Sequence, residues 1–382
     1  MNISKFVAPE IIFGRGSLSQ LGESVVRIGA SKVFLVSDEG VINAGWVDQA
    51  VHYLHAAGLE TEIFSSLTTN PKDCEVTEGA LRYRESGCDG IVAVGGGSPT
   101  DVAKAIAILA TNGGVLQDYE GINKISRPLP PMVIAPSTAG AGSEVSQFAI
   151  IVDTARKLKM SIISKSLVPD IAIVDPELVQ TMDSKLAAAT GLDAFTHGIE
   201  SYVSLAATTL TDIQALKAIQ LASCNLRQAV TNRHDMEANT NMSMASLTAG
   251  LAFSNAILGA THAMTHQVDG LIDQHHGETN AAILPQVMEF NLIACPERFR
   301  DIAVAMGENV TGLSTMAAAE LAVIAVKQLI SDIGLAKGLG KLGLAAEFIP
   351  LLSENALKDA CLVTNPRGAS REDIEAIFRK CM

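Results

Sequence analysis

The stretch GIVAVGGGSPTDVAKAIA, residues 90–107, joins an apolar run to a helical pattern through three consecutive glycines. The apolar run is continuous rather than alternating, which is typical of a strand buried on both faces of a parallel sheet. After the glycines, Ser98 is predicted to be the helix N-cap and Pro99 the first helical residue, and Asp101 completes an arrangement like a capping box. The stretch therefore predicts a buried strand that turns directly into a helix.

The same alternation of strand and helix continues on both sides of this stretch. Strands are predicted at SKVFLVSD (31–38), LETEIFSSL (59–67) and PPMVIAPS (130–137), and helices at WVDQAVHYLHAAG (46–58) and CEVTEGALRYRESG (74–87). Such alternation, with apolar strands, is typical of α/β proteins in which helices cover both faces of the sheet. We therefore predict a doubly wound parallel sheet.

The sequence pattern changes near residue 180. From Ser184 to Phe378 the chain consists of long stretches rich in alanine, leucine and methionine, with helical spacing and almost no β-branched alternation. The predicted fold class is therefore α/β plus all-α. An α/β domain is expected over residues 1–180 and an all-helical domain over residues 181–382.

Composition and charge exclude several classes of protein. The chain has 382 residues and a net charge of −13, and it contains no basic block, which argues against a nucleic-acid partner or an anionic membrane surface. Its six cysteines are scattered, with no C-x-x-C pair, as expected for reduced thiols. The N-terminus lacks the pattern of a signal peptide, and no apolar run approaches the length of a membrane span. We expect a soluble, cytoplasmic protein.

The glycine-rich turn at Gly95–Gly97 has two interpretations. It can be an ordinary strand-to-helix turn, since glycine triplets alone are weak evidence and the motif is not G-x-G-x-x-G. Alternatively, the absent side chains let backbone N–H groups approach a pyrophosphate, whose charge the helix dipole favours. A second small-residue loop, STAGAGSE (137–144), follows the next strand, and Asp38 ends an earlier one. Together these features favour a dinucleotide site.

The carboxylate of Asp38 also bears on which dinucleotide is bound. A strand-end carboxylate can accept hydrogen bonds from ribose hydroxyls and would repel a 2′-phosphate, so NAD(H) is predicted rather than NADP(H). The residues that this pattern assigns to the cofactor are Asp38, Gly96, Gly97, Ser98, Asp101, Thr138 and Ser143.

Histidines and acids are concentrated in three short segments of the second half. Asp193 and His197 lie four residues apart, as do His262 and His266, and QHHG (274–277) adds two more histidines. The i,i+4 spacing places side chains on one face of a helix. Imidazole together with a carboxylate suits a divalent transition metal better than calcium or magnesium, which prefer oxygen ligands. The spacing therefore predicts a metal site.

A set of three neutral nitrogens and one anion would leave a divalent ion with one unit of positive charge, enough to act as a Lewis acid. The predicted ligands are Asp193, His197, His262 and one of His275 and His276. Spacing alone leaves open whether His266 also binds the ion or is left for chemistry.

These motifs together resemble the iron-containing (group III) alcohol dehydrogenases. The resemblance extends along essentially the whole chain and includes GGGSPTDVAKAIA, STAGAGSE, AATGLDAFTHGIESY, LGATHAMTHQVDG, HHGETNAAILPQVMEFN and ALKDACLVTNPR. It implies a dinucleotide-binding α/β domain followed by a helical metal-binding domain. It also implies NAD(H)-linked interconversion of small alcohols or diols and aldehydes, with Fe²⁺ (or Zn²⁺) at the metal site, and homodimers or larger assemblies.

The resemblance also assigns roles to individual residues. It implies that the metal ligands are Asp193, His197, His262 and His276. His266 would be a non-ligating histidine near the nicotinamide, suited to relaying a proton. The cofactor site would be lined by Asp38, Asn70, Gly97, Ser98, Thr138, Ser146, Phe148, Lys159 and Leu178.

The chain departs from the family pattern at two positions. His275 replaces a proline before the last ligand, and Asp269 replaces a small residue, often glycine. His276 is preferred over His275 as the ligand because it directly precedes Gly277 and keeps the family's 14-residue interval from His262. Asp269 would place an additional carboxylate near the site.

Two alternative functions are considered beside the alcohol dehydrogenase. One is a polyol oxidoreductase similar to glycerol dehydrogenase, which uses zinc and fewer histidine ligands. The other is a non-catalytic regulator that senses NAD or metal on the same scaffold. The four candidate ligands favour the alcohol dehydrogenase over the first, and retention of His266 with the full ligand set argues against the second.

Overall fold

The computed structural model describes residues 5–272 and 274–382, which form two compact units, Val7–Met182 and Asp183–Met382. The strands of the first unit are β1 (Glu10–Phe13), β2 (Lys32–Val36), β3 (Glu60–Phe64), β4 (Gly90–Gly95), β5 (Gly121–Ile122), β6 (Met132–Pro136), β7 (Phe148–Asp153), β8 (Leu158–Ile163) and β9 (Ile171–Val174). Its α-helices are α1 (Leu21–Arg27), α2 (Glu39–Asn43), α3 (Trp46–Ala56), α4 (Asp73–Ser86) and α5 (Gly97–Asn112).

Six of these strands form a parallel sheet in the order β1-β9-β6-β4-β2-β3. Successive side chains of a strand point to opposite faces, and both faces are covered here. Phe34 of β2 packs in an apolar cluster with residues of α4 and α5, whereas Val33 packs in a second cluster with residues of α1 and α3. The predicted doubly wound parallel sheet is therefore confirmed.

The strand order reverses between β2 and β4. From β2 the chain passes first to β3 on one side and then to β4 on the other, after which β6 and β9 follow in sequence. In open α/β sheets, ligands bind outside the carboxyl ends of the strands at such a reversal. Asp38 follows β2 and Gly95–Gly97 end β4, so both predicted cofactor segments lie at this position.

A small second sheet contains strands that the sequence analysis did not predict. Strands β7 and β8 pair antiparallel, and β8 pairs in parallel with the short β5. Ala149 and Ile151 of β7 belong to the same apolar cluster as α5. The hairpin is therefore part of the first unit's core.

The second unit is helical throughout the residues that the structure describes, as predicted. Its α-helices are α6 (Ser184–Val203), α7 (Thr209–Thr231), α8 (Met236–Ala256), α9 (Ala260–Ile272), α10 (His276–Asn291), α11 (Pro296–Ala305), α12 (Thr315–Asp332), α13 (Ile349–Ala356) and α14 (Arg371–Cys381). Alanines Ala194, Ala218 and Ala249 meet where α6, α7 and α8 pack together, and their small side chains permit close contact. Helices α9, α10, α13 and α14 enclose a second cluster.

A sharp break separates α8 from α9. Ile257 has a φ of 62°, an uncommon value for a β-branched residue, and the two helices are bent by 101°. No single helix in the described part of the chain is long and apolar enough to cross a membrane, although this bent pair meets the length and composition criteria together. The break starts α9 in a new direction, just before His262.

Candidate metal centre and dinucleotide crevice

The four predicted metal ligands come from three helices and meet around one oxygen atom. Asp193 lies in the middle of α6, and His197 follows it by one helical turn; His262 lies near the start of α9, and His276 begins α10. The Nε2 atoms of His197, His262 and His276 lie 3.6, 3.5 and 3.9 Å, respectively, from Asp193 Oδ1. The donor atoms of Asp193, His262 and His276 all lie within 4.8 Å of one another, and His197 Nε2 adjoins this group through its contact with Asp193 Oδ1.

Gly277 explains how His276 reaches this point. A Cβ atom at Gly277 would lie 1.9 Å from the backbone oxygen of Ala189, so the start of α10 packs directly against the backbone of α6. An alanine here would force the two helices apart. The close approach of the backbones therefore sets the position of His276 relative to Asp193.

Two of the three imidazoles also contact a carboxylate on their other nitrogen. His262 Nδ1 lies 2.6 Å from Glu200 Oε2, and His276 Nδ1 lies 2.6 Å from Asp269 Oδ2. Glu200 also accepts hydrogen bonds from three backbone N–H groups at the start of α9, including that of Thr261 at 2.6 Å. This carboxylate therefore caps α9, where the helix dipole favours a negative charge, and orients one ligand of the site.

The electrostatics of the cluster favour an added positive charge. Asp193, Glu200 and Asp269 are all buried, and burial of carboxylates is unfavourable without compensation. Although burial opposes its ionisation, the nearby imidazoles of His197 and His262 lower the pKa of Asp193. Burial likewise opposes the charged form of His262, yet the adjacent carboxylates of Asp193 and Glu200 raise its pKa to about 9. Three anionic side chains thus surround imidazoles that are neutral when they act as ligands.

The surroundings of two buried imidazoles also indicate that the cluster can hold a metal ion. His262 Nε2 faces Asp193 Oδ1 but makes no hydrogen bond to any described residue. Burial lowers the pKa of His197 to about 3 in spite of the attraction of Asp193, so this imidazole is neutral, the form that binds metal. Three imidazole nitrogens, one carboxylate oxygen and outer carboxylate partners fit a divalent transition metal such as iron or zinc.

His266 and His275 have different surroundings from the four predicted ligands. His266 Nδ1 lies 2.9 Å from Asp359 Oδ2, and the His266 ring stacks at 5.6 Å from the His276 ring. Burial opposes ionisation of Asp359, but His266 lowers its pKa. His275 is the residue before α10, and it is not part of the described donor group around Asp193, which includes His276. The structure therefore places His266 beside the predicted metal site and paired with another carboxylate.

The predicted helix capping in the first unit is wrong. Helix α5 begins at Gly97 with Gly96 as its N-cap, two positions earlier than predicted. The Ser98 hydroxyl donates instead to the backbone oxygen of Thr69, and Asp101 accepts from the Ile150 N–H at 3.1 Å rather than completing a capping box. Since no described side chain caps the start of α5, its first N–H groups remain suited to an anion.

The second small-residue loop lies directly beside this helix start. A Cβ atom at Gly96 would lie 3.0 Å from Thr138 Cγ2, and one at Gly97 would lie 3.1 Å from Ala141 Cβ. Asp38 stands at the neighbouring strand end and caps α2 by accepting from the Val41 N–H at 3.0 Å. The absence of side chains at these glycines thus permits the two loops to approach each other closely.

A buried lysine supports the loop from below. The Nζ atom of Lys104 donates to the backbone oxygens of Ser143, Ser146 and Phe148 at 2.7, 2.8 and 2.9 Å. Burial lowers the pKa of Lys104 to about 8, although Asp101 counteracts this effect. Ser146 and Phe148 are therefore held in place by an ammonium group within the fold.

Of the remaining residues predicted to line the cofactor site, some lie near the crevice and others are buried in the fold. Asn70 belongs to the loop that Ser98 contacts through Thr69. Lys159 lies on β8, and its charge slightly opposes the burial that raises the pKa of Asp101 to about 6. Leu178 is fully buried in the apolar cluster on the α1 and α3 face of the sheet. Asp38, the glycines of the turn, Ser98 and Thr138 thus lie around the crevice, whereas Asp101, Ser146, Phe148 and Leu178 are buried.

Comparisons with known proteins agree with this arrangement. The family model for iron-containing alcohol dehydrogenase matches residues 8–176, and that for the C-terminal part of the Fe-containing alcohol dehydrogenase family matches residues 187–382. The chain is 46% identical over 378 residues to 1,3-propanediol dehydrogenase from Klebsiella pneumoniae, with 98% of both proteins covered. It is 41% identical over 377 residues to NAD-dependent methanol dehydrogenase from Bacillus methanolicus, with 99% of both covered. A crystal structure of 1,3-propanediol oxidoreductase superposes with a TM-score of 0.97 at 44% identity, and the match covers all of both chains.

A doubly wound sheet with a dinucleotide crevice, followed by a helical unit with a metal site, defines a metal- and NAD-dependent oxidoreductase of alcohols or diols. The matches extend over nearly the whole chain. The chain belongs to the iron-containing alcohol dehydrogenase family, and its cofactors are NAD(H) and Fe²⁺.

Sequence reasoning missed two acidic residues at the site. Glu200 follows His197 by three residues, so the series 193, 197, 200 continues one helical face and could have identified it. Asp359 pairs with His266 across 93 residues, and its segment contains no local pattern that points to this contact. Asp269 was identified as an unusual residue, but its contact with His276 was not predicted.

Proposed function

We propose that this protein interconverts small primary alcohols or diols and the corresponding aldehydes at a metal centre formed by Asp193, His197, His262 and His276. The observation that carries the proposal is the convergence of three imidazole Nε2 atoms on Asp193 Oδ1. The substrate class is supported by the relatives, which are named for 1,3-propanediol and methanol.

In the oxidation, an alcohol loses a proton from oxygen and a hydride from carbon, which leaves the aldehyde, NADH and a proton. A divalent ion at the centre supplies Lewis acidity that polarises a substrate oxygen. Hydride acceptance at C4 is the chemistry of the nicotinamide itself. The protein's own groups hold the reactants, exclude competing contacts and move the proton.

His266 is the side chain assigned to the proton. Asp359 accepts at 2.9 Å from Nδ1, which favours the tautomer with the proton on that nitrogen and leaves Nε2 to accept another. This pairing of an imidazole with an orienting carboxylate suits general acid–base catalysis.

The proposal is tested by measuring NADH formation after metal-free protein has been loaded anaerobically with Fe²⁺ or Zn²⁺. We expect higher turnover with Fe²⁺, and with methanol, primary alcohols or 1,3-propanediol rather than glycerol. A preference for glycerol would support the polyol oxidoreductase, and higher turnover with zinc would overturn the choice of iron. Absence of NADH with either ion and every alcohol would refute the proposed activity.

Replacing Asp38 by glycine should narrow the preference for NAD⁺ over NADP⁺. In the wild type, a 2′-phosphate near this strand-end carboxylate would meet repulsion and lose a hydrogen bond to a ribose hydroxyl. If the repulsion and the lost hydrogen bond each disfavour NADP⁺ by about 1.4 kcal/mol, kcat/KM of the wild type should be roughly a hundredfold higher for NAD⁺ than for NADP⁺. The measurement is kcat/KM for both cofactors in both proteins. A wild type that prefers NADP⁺ would contradict the assignment.

We also propose that the protein is cytoplasmic and acts as a homodimer or larger homo-oligomer with small molecules as its ligands. All six cysteines are free, which is consistent with a reducing compartment.

Leu205, Leu210 and Ile213 are exposed near one another in sequence, and exposed apolar groups of this kind commonly become covered on association. Light scattering with size-exclusion chromatography tests the assembly, and cell fractionation tests the location. A monomer at micromolar concentration, or recovery outside the cytoplasm, would contradict these assignments.

A further inference from the structure

Asp269 connects the two helices that supply His262 and His276. It lies on α9, seven residues after His262, and its side chain is fully buried. One carboxylate oxygen, Oδ2, accepts from His276 Nδ1 at 2.6 Å, and the other, Oδ1, accepts from the Thr279 hydroxyl at 2.7 Å. Both partners lie on α10, three residues apart, so the carboxylate is fixed by two directed contacts.

The contact with His276 determines which nitrogen of that imidazole can bind a metal. A carboxylate accepts hydrogen bonds and cannot donate when ionised, so it requires the imidazole proton to be on Nδ1. The lone pair is then on Nε2, the atom that lies 3.9 Å from Asp193 Oδ1. A carboxylate at this position also increases the basicity of a ligating imidazole.

The other two imidazoles provide an internal comparison. His262 has the same arrangement, with Glu200 at 2.6 Å from its Nδ1. His197 Nδ1, in contrast, is buried and makes no hydrogen bond to the described residues. A carboxylate contact at Nδ1 is therefore present at two of the three proposed histidine ligands, and also at His266, which is not a proposed ligand.

We propose that Asp269 is a positioning residue for the metal ligand His276, and that it strengthens metal binding by fixing the Nδ1–H tautomer and adding negative charge next to the ligand. This inference rests on the proposed four-residue metal centre. Asp269 is not itself a proposed metal ligand, and its effect on metal binding is transmitted through the imidazole of His276.

The test is the metal affinity of Asp269→Asn, measured with Co²⁺ as the probe by competition against a chelator and from the cobalt absorption spectrum. Asparagine has nearly the same shape, but it replaces one of the two accepting oxygens by an NH₂ group, which donates and cannot accept from His276 or Thr279. Loss of an outer partner of a metal-binding histidine typically weakens metal affinity by roughly 10- to 100-fold. We expect a loss in this range together with a changed cobalt spectrum.

Asp359→Asn is the matched control. It makes the same change in another aspartate whose side chain is mostly covered and pairs with a histidine, but its partner, His266, is not among the proposed ligands. Its cobalt affinity should stay within about threefold of the wild type, since it touches no proposed ligand. Thermal unfolding of the metal-free forms identifies any general damage to the fold. Equal weakening in both variants would overturn the specific role of Asp269.

A double-mutant cycle separates positioning from a merely structural effect. In a His276→Ala background, Asp269→Asn should cause no further loss of the residual cobalt affinity, because the residue through which it acts is gone. The same loss in both backgrounds would overturn the inference. The inference would also be overturned if Asp269→Asn bound cobalt as tightly as the wild type while His276→Ala lost the ion. In that case the proposed metal centre itself would stand. If His276→Ala binds cobalt as tightly as the wild type, the proposed centre fails.

Discussion

His276→Ala should lose the metal ion, whereas His275→Ala should keep it. The two histidines are adjacent in sequence, but only His276 has Nε2 directed at Asp193, with its opposite nitrogen against Asp269. Removal of a ligand should weaken binding by more than the roughly 100-fold that follows loss of an outer partner. Turnover should fall with metal occupancy.

The measurement is the metal content per chain after anaerobic loading with Fe²⁺ and removal of unbound ion. His275→Ala is the control for His276→Ala, because both variants remove an imidazole at the start of the same helix. The assignment is wrong if His275→Ala loses the ion and His276→Ala retains it. Retention of the ion at wild-type content in both variants would mean that His276 is not a ligand, and the proposed four-residue centre would fail.

His266→Ala should keep its metal and still bind NADH, yet lose turnover by roughly 10²- to 10⁴-fold, the usual contribution of a positioned general acid or base. The physical reason is the pairing with Asp359, which leaves one nitrogen of the imidazole to exchange a proton. Water in an open site can replace part of this function, so the lower end of the range is the safer expectation.

Metal content and kcat, measured on the same preparation, decide this second prediction. Loss of the ion would show that His266 is a ligand, and an unchanged kcat would show that proton transfer uses another route. His55→Ala is a suitable control, because this histidine belongs to α3 of the first unit. It should retain both the ion and the rate.

The parallel sheet was predictable because its inner strands are continuous apolar runs between helical patterns. Strand β1 escaped prediction because it has only four residues and lies at the sheet edge. The hairpin of β7 and β8 also escaped, although FAIIVD and LKMSII are two apolar runs separated only by a short polar segment. Short antiparallel strands give a weak periodic signal beside the strong strand–helix alternation.

The metal centre was predictable as far as helical spacing allows. The pairs Asp193–His197 and His262–His266 follow from i,i+4 periodicity, and the structure brings the first pair and His262 together. Spacing could not decide that His266 turns toward Asp359, since that contact depends on the packing of a segment 93 residues away. Carboxylates that support ligands are determined by tertiary structure, and the sequence shows them only as ordinary acids.

The contact between Gly277 and the backbone of α6 has a consequence for anyone who wishes to redesign the site. The distance between these two helices is set by main-chain atoms, so ligand side chains can be exchanged on a backbone that stays in place. A library that varies residues 193, 197, 262 and 276 would therefore explore metal preference within one fixed frame, provided that position 277 is left as glycine. The chain thus offers a scaffold in which the coordinating groups and the support that holds them can be altered separately.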